Sequence, residues 1–262
     1  MAKGSVEGPA SGPVLACFLG RQRIGKSVTA WALKAISPET LPVQVWDFDP
    51  AALQEDGRTL SWLLPSAMKP TKPDDQSRIE WLRERTDEMI GAVLDGKPFN
   101  VFCDFGGIEE MLKRFSGKFE FVTALEEFGI RVVAIHVVGP EVADLRFLHQ
   151  VESTGAFKPK LAALVLNEGM VHEDQDPEAA FSGVLSSPVV SEFRKRGGVI
   201  GTMPVLFQMP KIVKLREEKG PAPLRDFTIA ATGLGHLESR LVRIWLDEKV
   251  PKLRERLGVC IP

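Results

Sequence analysis

The sequence predicts a three-layer α/β fold, a mostly parallel twisted sheet flanked by helices. Three observations predict it. Six short apolar runs alternate with helical patterns along the chain. Several runs are continuous rather than alternating, as in strands buried on both faces. A glycine-containing turn separates the first run from the first helical pattern. Alternation of this kind implies βαβ units with right-handed crossovers.

The first strand, Val14–Leu19, reads VLACFL and leads into a helix at Lys26–Ala35. A second strand at 43–48 runs into Asp49 and Pro50. The stretch 65–76 contains Pro65, Pro70 and Pro73 with the adjacent Asp74 and Asp75, and reads as an exposed excursion. A helix at 76–94, a strand at 100–103 and a helix at 121–128 follow. Next come a strand at Arg131–Val138, a helix at 141–151 and a strand at 161–166. A helix at 189–195, a strand at Val199–Met203 and a helix at 237–256 complete the pattern. Residues 1–13 are rich in Gly, Ser and Pro and read as a flexible leader. Residues 14–262 read as a single domain, because no shift in composition marks a second one.

The 262 residues are enough for one large α/β domain, and 44% hydrophobic with 26% charged residues is ordinary globular composition. Lys plus Arg number 33 against 35 Asp plus Glu, a formal charge of -2, so the chain is not globally built to coat nucleic acid. No apolar stretch approaches the ~20 residues of a membrane span, and no signal-peptide core is present. The 3 cysteines, Cys17, Cys103 and Cys260, show neither disulfide nor zinc spacing, and a reducing cytoplasm is the expected compartment.

The most informative segment is 14–31. Its turn, Gly20-Arg21-Gln22-Arg23-Ile24-Gly25-Lys26-Ser27, matches G-x-x-x-x-G-K-[ST] at every fixed position and passes through Val28 into a helix. The glycines let backbone approach phosphate, and successive N–H groups with the helix N-terminus form an anion cradle. Lys26 would reach the β- and γ-phosphates, and Ser27 would give a hydroxyl to Mg²⁺. Two strand ends supply carboxylates where an open α/β sheet holds its ligands. The second strand ends in Asp47 and Asp49, which can serve the metal or orient a water. The third ends in Asp104, placed to hold Mg²⁺ through water, with Gly107 offering an N–H to the γ-phosphate.

These motifs, in this order, resemble the MinD/ParA family of deviant Walker A ATPases, P-loop proteins that bind nucleotide as a dimer. The family's signature lysine falls on Arg21, and Gln22 and Arg23 stand where the family has paired glycines. The strand LAALVLN ending at Asn167 resembles the family's base-side strand, and the proline of GTMP, Pro204, would lie near the adenine. The resemblance implies a Mg²⁺-dependent, slowly hydrolysing ATP switch that dimerises with ATP and works with a protein partner. Plasmid partition, mobilisation or conjugation are the settings it suggests. Lys26 and the loop amides would bind phosphates, Ser27 and Asp104 would hold the metal, and Asp47 would support its shell. Asp49 would position or activate water, and Arg21 would reach the partner's phosphates. A small-molecule kinase or ligase with an acceptor pocket near 65–76, and a nucleotide-binding module without turnover, are the alternatives.

Base choice has its own signal. Guanine recognition by N-K-x-D needs a carboxylate at the fourth place, and here Met170 occupies it after Asn167, Glu168 and Gly169. Adenine is therefore the expected base. Weaker signals read blandly. The 4 histidines (His136, His149, His172, His236) show no ligand spacing. Glu109 and Glu110 suit the first turn of a helix. The basic clusters at 193–197 and 211–214 read as solvated helix ends, with nonspecific DNA contact the functional option. The helix at 237–256 reads as packed on the domain rather than membrane-bound, with Pro251 interrupting it.

Overall fold

A computed structural model describes residues 12–38, 40–54, 57–106, 121–154, 157–219 and 233–262. Gly107, Glu109 and Glu110 lie outside them. Six parallel strands form one sheet: β1 (Val14–Leu19), β2 (Val43–Asp47), β3 (Asn100–Asp104), β4 (Arg131–Val138), β5 (Leu161–Asn167) and β6 (Val199–Met203). Their spatial order is β2-β3-β1-β4-β5-β6. The chain reverses direction across the sheet at β1, so the crevice at β1's carboxyl end is a topological switch point. Helices cover both faces, giving a three-layer α/β P-loop fold.

The continuous apolar runs follow from this burial. On β1, Val14, Ala16 and Phe18 join one core, while Leu15, Cys17 and Leu19 join the other. The first core is closed by α1 (Lys26–Ala35), the short α2 (Leu60–Leu63) and the C-terminal helices. The second is closed by α3 (Asp75–Leu94), α4 (Phe121–Glu127), α5 (Arg146–Thr154) and two further helices. These are α7 (Ser182–Leu185) and α8 (Pro188–Lys195), which follow the short α6 (Pro177–Ala180), a turn with no buried residue. On the first face, α9 (Met209–Lys219) buries Ile212 and Arg216.

Two expectations are corrected and one is extended. The helix predicted at 141–151 begins as a 3₁₀ turn, Val142–Leu145, before α5. The excursion at 65–76 is exposed over most of its length and is tied to the sheet edge at one point: Asp47 N–H donates to the Met68 carbonyl and Met68 N–H to the Val45 carbonyl, both at 2.8 Å. Pro251 does not interrupt the last helix. α10 (His236–Ile244) passes through a π turn, Trp245–Lys249, into α11 (Val250–Leu257). A π turn absorbs the backbone mismatch that an internal proline creates. Val242, Trp245, Leu246, Val250, Leu253 and Leu257 are buried, so this helix packs on the domain. Among the described residues no helix is long and apolar enough to cross a membrane.

Candidate functional site

The phosphate loop leaves the carboxyl end of β1 and closes on α1. Gly25 caps α1 with φ +96, a left-handed turn, and a Cβ there would lie 2.2 Å from Asn167 Nδ2. Only glycine fits both demands. Lys26 is buried, and its Nζ donates to the carbonyls of Gly20 at 3.0 Å and Arg21 at 2.9 Å. Its ammonium therefore lies across the cradle formed by its own loop.

Asp47 and Asp104 are paired in register at the ends of β2 and β3, and both are fully buried. The Ser27 hydroxyl donates to Asp104 Oδ2 at 2.5 Å, and Gly106 N–H donates to Oδ1 at 3.1 Å. Burial pushes the Asp104 carboxyl up to about 6; Lys26 pulls it down, Asp47 pushes it up, and the two hydrogen bonds lower it. Burial also raises Asp47, against hydrogen bonds from the Thr59 hydroxyl, Ser61 N–H and Asp49 N–H. A hydroxyl beside buried carboxylates is a donor set suited to a hard ion such as Mg²⁺. Among the described residues no three His, Cys, Asp or Glu side chains are grouped as a metal site.

Asp49 follows β2. Its Oδ1 accepts from Ala51 N–H at 2.9 Å, capping a 3₁₀ turn, Pro50–Leu53. Its other oxygen lies against Gly106, where a Cβ would approach it to 2.7 Å. Asp49 is thus held between the ends of β2 and β3, beside Asp104. The segment before it is clamped by Arg78 on α3. That buried guanidinium donates to the Phe48 carbonyl at 2.5 Å and lies 4.7 Å from the Phe48 ring centre.

Arg21 and Asn167 anchor the loop from the other side. The Arg21 Nε donates to Asp144 of the same chain, and this pairing raises the guanidinium further above its ordinary value. Asn167 Nδ2 donates to the Ile24 carbonyl at 2.7 Å, while its Oδ1 accepts from Gly169 N–H at 3.0 Å. A cleft of about 1550 Å³ opens beside Gly25 and Val28, walled by Asn167 to Val171 on one side and Met203 to Phe207 on the other. Pro204 lines it, its carbonyl fixed by Trp245 Nε1–H at 2.9 Å. Gln22 and Arg23 are exposed at the loop's rim.

The structure thus gathers Gly20 to Val28, Asp47, Asp49 and Asp104 at one crevice, with Asn167 and Pro204 along the adjoining cleft. Sequence reasoning misses the supports: Thr59 and Ser61 on Asp47, Arg78 under Phe48, and Asp144 on Arg21. Four cations of the basic clusters are paired with carboxylates. Lys195 meets Glu192, Arg196 meets Glu152, Lys211 meets Glu238 and Lys214 meets Glu218.

No protein-family model and no curated protein sequence matches the chain. Solved structures resemble it at low identity. Apo McdA from Cyanothece is 14% identical, with 94% of this chain and 99% of that one covered and a TM-score of 0.48. An ATP complex of Cyanothece McdA is 11% identical, covering 92% and 98%, with a TM-score of 0.41. Chloroplast FtsY from Physcomitrella patens is 15% identical, covering 73% and 59%, with a TM-score of 0.44. The chain spans 59% of the length of that FtsY.

Proposed function

We propose that the chain is a Mg²⁺-dependent ATP-binding and slowly hydrolysing switch of the ParA/MinD kind. ATP draws two copies together, and ADP releases them. The observation that carries this reading is the Ser27–Asp104 hydrogen bond at 2.5 Å, set beside Lys26 at the root of a glycine-shaped phosphate loop. Lys26 and the loop amides bind the phosphates. Ser27 and Asp104 hold Mg²⁺, which would neutralise phosphate charge, and Asp47 supports its shell. Asp49 orients the attacking water. The base lies in the cleft beside Asn167 and Pro204, and adenine is preferred. Positioning and electrostatics supply the catalysis, because phosphoryl transfer needs little covalent help. The setting is the cytoplasm, with a protein partner that reads the switch. Nonspecific DNA contact would draw on cations that are now paired with carboxylates.

Light scattering after size exclusion tests the switch, with Mg²⁺ and ADP, ATP or a nonhydrolysable ATP analogue. The expected result is a monomer with ADP and a dimer with the analogue. A monomer with all three nucleotides rejects the switch. Lys26→Ala should abolish binding of both nucleotides in a folded protein, and unchanged affinity by calorimetry rejects the phosphate-loop assignment.

A further inference from the structure

The loop carries two arginines, and the structure holds them in opposite ways. Arg21 is committed to its own chain through Asp144, whose side chain is 1% exposed. Among the described residues the second Asp144 oxygen accepts only Gly139 N–H, at 3.0 Å. Withdrawing Arg21 would leave a buried carboxylate without its counter-charge, which is strongly unfavourable.

Arg23 is free by comparison. Its side chain is exposed and makes no ion pair or hydrogen bond with any described residue. Its φ of +60 makes it the one non-glycine among the described residues in the left-handed region. That backbone is costly for a side chain and free for glycine. Here no local bond of the Arg23 side chain compensates for it. Such strain concentrates at sites where a side chain acts on a ligand.

We propose that Arg23, and not Arg21, is the catalytic cation of the loop, contacting the terminal phosphate of bound ATP from the loop's outer rim. Arg21 is then a positioning residue that ties the loop to the turn after β4. The inference rests on the loop being an ATP site. Lys26 and the backbone amides line the inside of the cradle, so a rim arginine meets the outermost phosphate. A guanidinium can grip two phosphate oxygens at once and offset the charge that shifts as the terminal phosphoryl group leaves.

Calorimetric titrations with ADP and a nonhydrolysable ATP analogue, single-turnover ATP hydrolysis and thermal melts test this on full-length wild type, Arg23→Ala, Arg23→Gly and Arg21→Ala. Both Arg23 variants should bind ADP within about twofold of wild type, bind the analogue at least ~10-fold more weakly and hydrolyse ATP at least ~100-fold more slowly. Arg23→Gly should also melt about 2–4 °C higher, because the left-handed strain is relieved while activity is lost. Arg21→Ala should weaken ADP and analogue alike, as a misplaced loop would. Wild-type analogue affinity and rate in the Arg23 variants would overturn the proposal. So would equal loss of ADP and analogue binding in them, or a loss selective for the analogue in Arg21→Ala alone. A wild-type protein that binds neither nucleotide fails earlier, and brings down the ATP reading together with the role of Arg23.

Discussion

Asp47 and Asp104 face each other in register across β2 and β3, and the chain satisfies them unequally. Asp47 accepts three hydrogen bonds from the segment that follows it, from Asp49 N–H, the Thr59 hydroxyl and Ser61 N–H. Among the described residues Asp104 accepts two, one of them from the loop serine. A carboxylate offers about four acceptor sites, so Asp104 keeps more capacity for a cation or its water. The buried charge of Asp47 also raises Asp104, and a divalent ion would relieve that repulsion.

This difference predicts different failures. Asp104→Asn should lose roughly 10- to 100-fold in Mg²⁺ affinity, measured in the presence of ATP, as loss of a metal-orienting carboxylate does. Asp47→Asn should mainly lower the unfolding midpoint by loosening residues 49–61, with a smaller effect on Mg²⁺. Magnesium titrations monitored by nucleotide binding, paired with thermal melts, decide between them. An equal loss of Mg²⁺ affinity in both variants would put Asp47 in direct charge of the metal.

Asp49→Ala should bind ATP nearly as well as wild type and hydrolyse it at least ~10-fold more slowly. The side chain lies against Gly106 beside Asp104, away from the hydrogen bonds that shape the phosphate loop. Asp49→Asn is the useful companion, because its amide oxygen can still accept the Ala51 N–H. It should keep the turn and lose the rate. Wild-type turnover in both variants removes Asp49 from the chemistry.

The strands are legible because burial on both faces writes itself as unbroken apolar sequence, as in Val14–Leu19 and Arg131–Val138. α9 is not, since its fully buried positions are only Ile212 and Arg216, and Lys211, Lys214 and the polar end from Arg216 to Lys219 blur the apolar period. α2, α6 and α7 are too short to show a period. In the site, Lys26, Ser27 and Asp104 are legible because phosphate and metal chemistry demand fixed spacing. The supports are contacts between distant segments, which spacing does not encode. Arg78 left a trace even so. It shares the buried stripe of α3 with Leu82, Thr86 and Met89, and a charged residue in that phase signals a specific partner.

Asn167 joins the cleft to the glycine loop, and both ends of its amide are engaged. Asn167→Ala should therefore weaken every nucleotide by roughly 10-fold, the loss of about one well-formed hydrogen bond, without changing base preference. That preference should favour adenine in competition titrations, because no carboxylate stands at the fourth place after Asn167. Equal or better displacement by GTP would reverse the base assignment. A variant that loses ATP alone would make Asn167 a base reader rather than a loop anchor.

His136 makes the stability of this protein sensitive to acid. It lies on β4, 1% exposed, with the Phe147 and Phe193 ring centres 6.1 and 6.2 Å away. Neither ring nitrogen has a hydrogen-bond partner among the described residues. Burial pushes its pKa from 6.5 down to about 3; Glu152 pulls it up and Arg196 pushes it further down. Between those values the unfolded chain binds a proton that the native protein refuses. Stability from this group is therefore complete above pH 6.5 and falls as pH drops towards 3, by about 2 kcal/mol at pH 5. His136→Leu removes the titration and the unpaired nitrogens together. Urea unfolding at pH 7.5 and pH 5 should show wild type losing about 2 kcal/mol more than the variant across that interval. At pH 7.5 the variant should be at least as stable, since a buried polar ring without partners is itself unfavourable. Parallel losses in the two proteins would mean that the histidine takes up its proton in the folded state as readily as in the unfolded one.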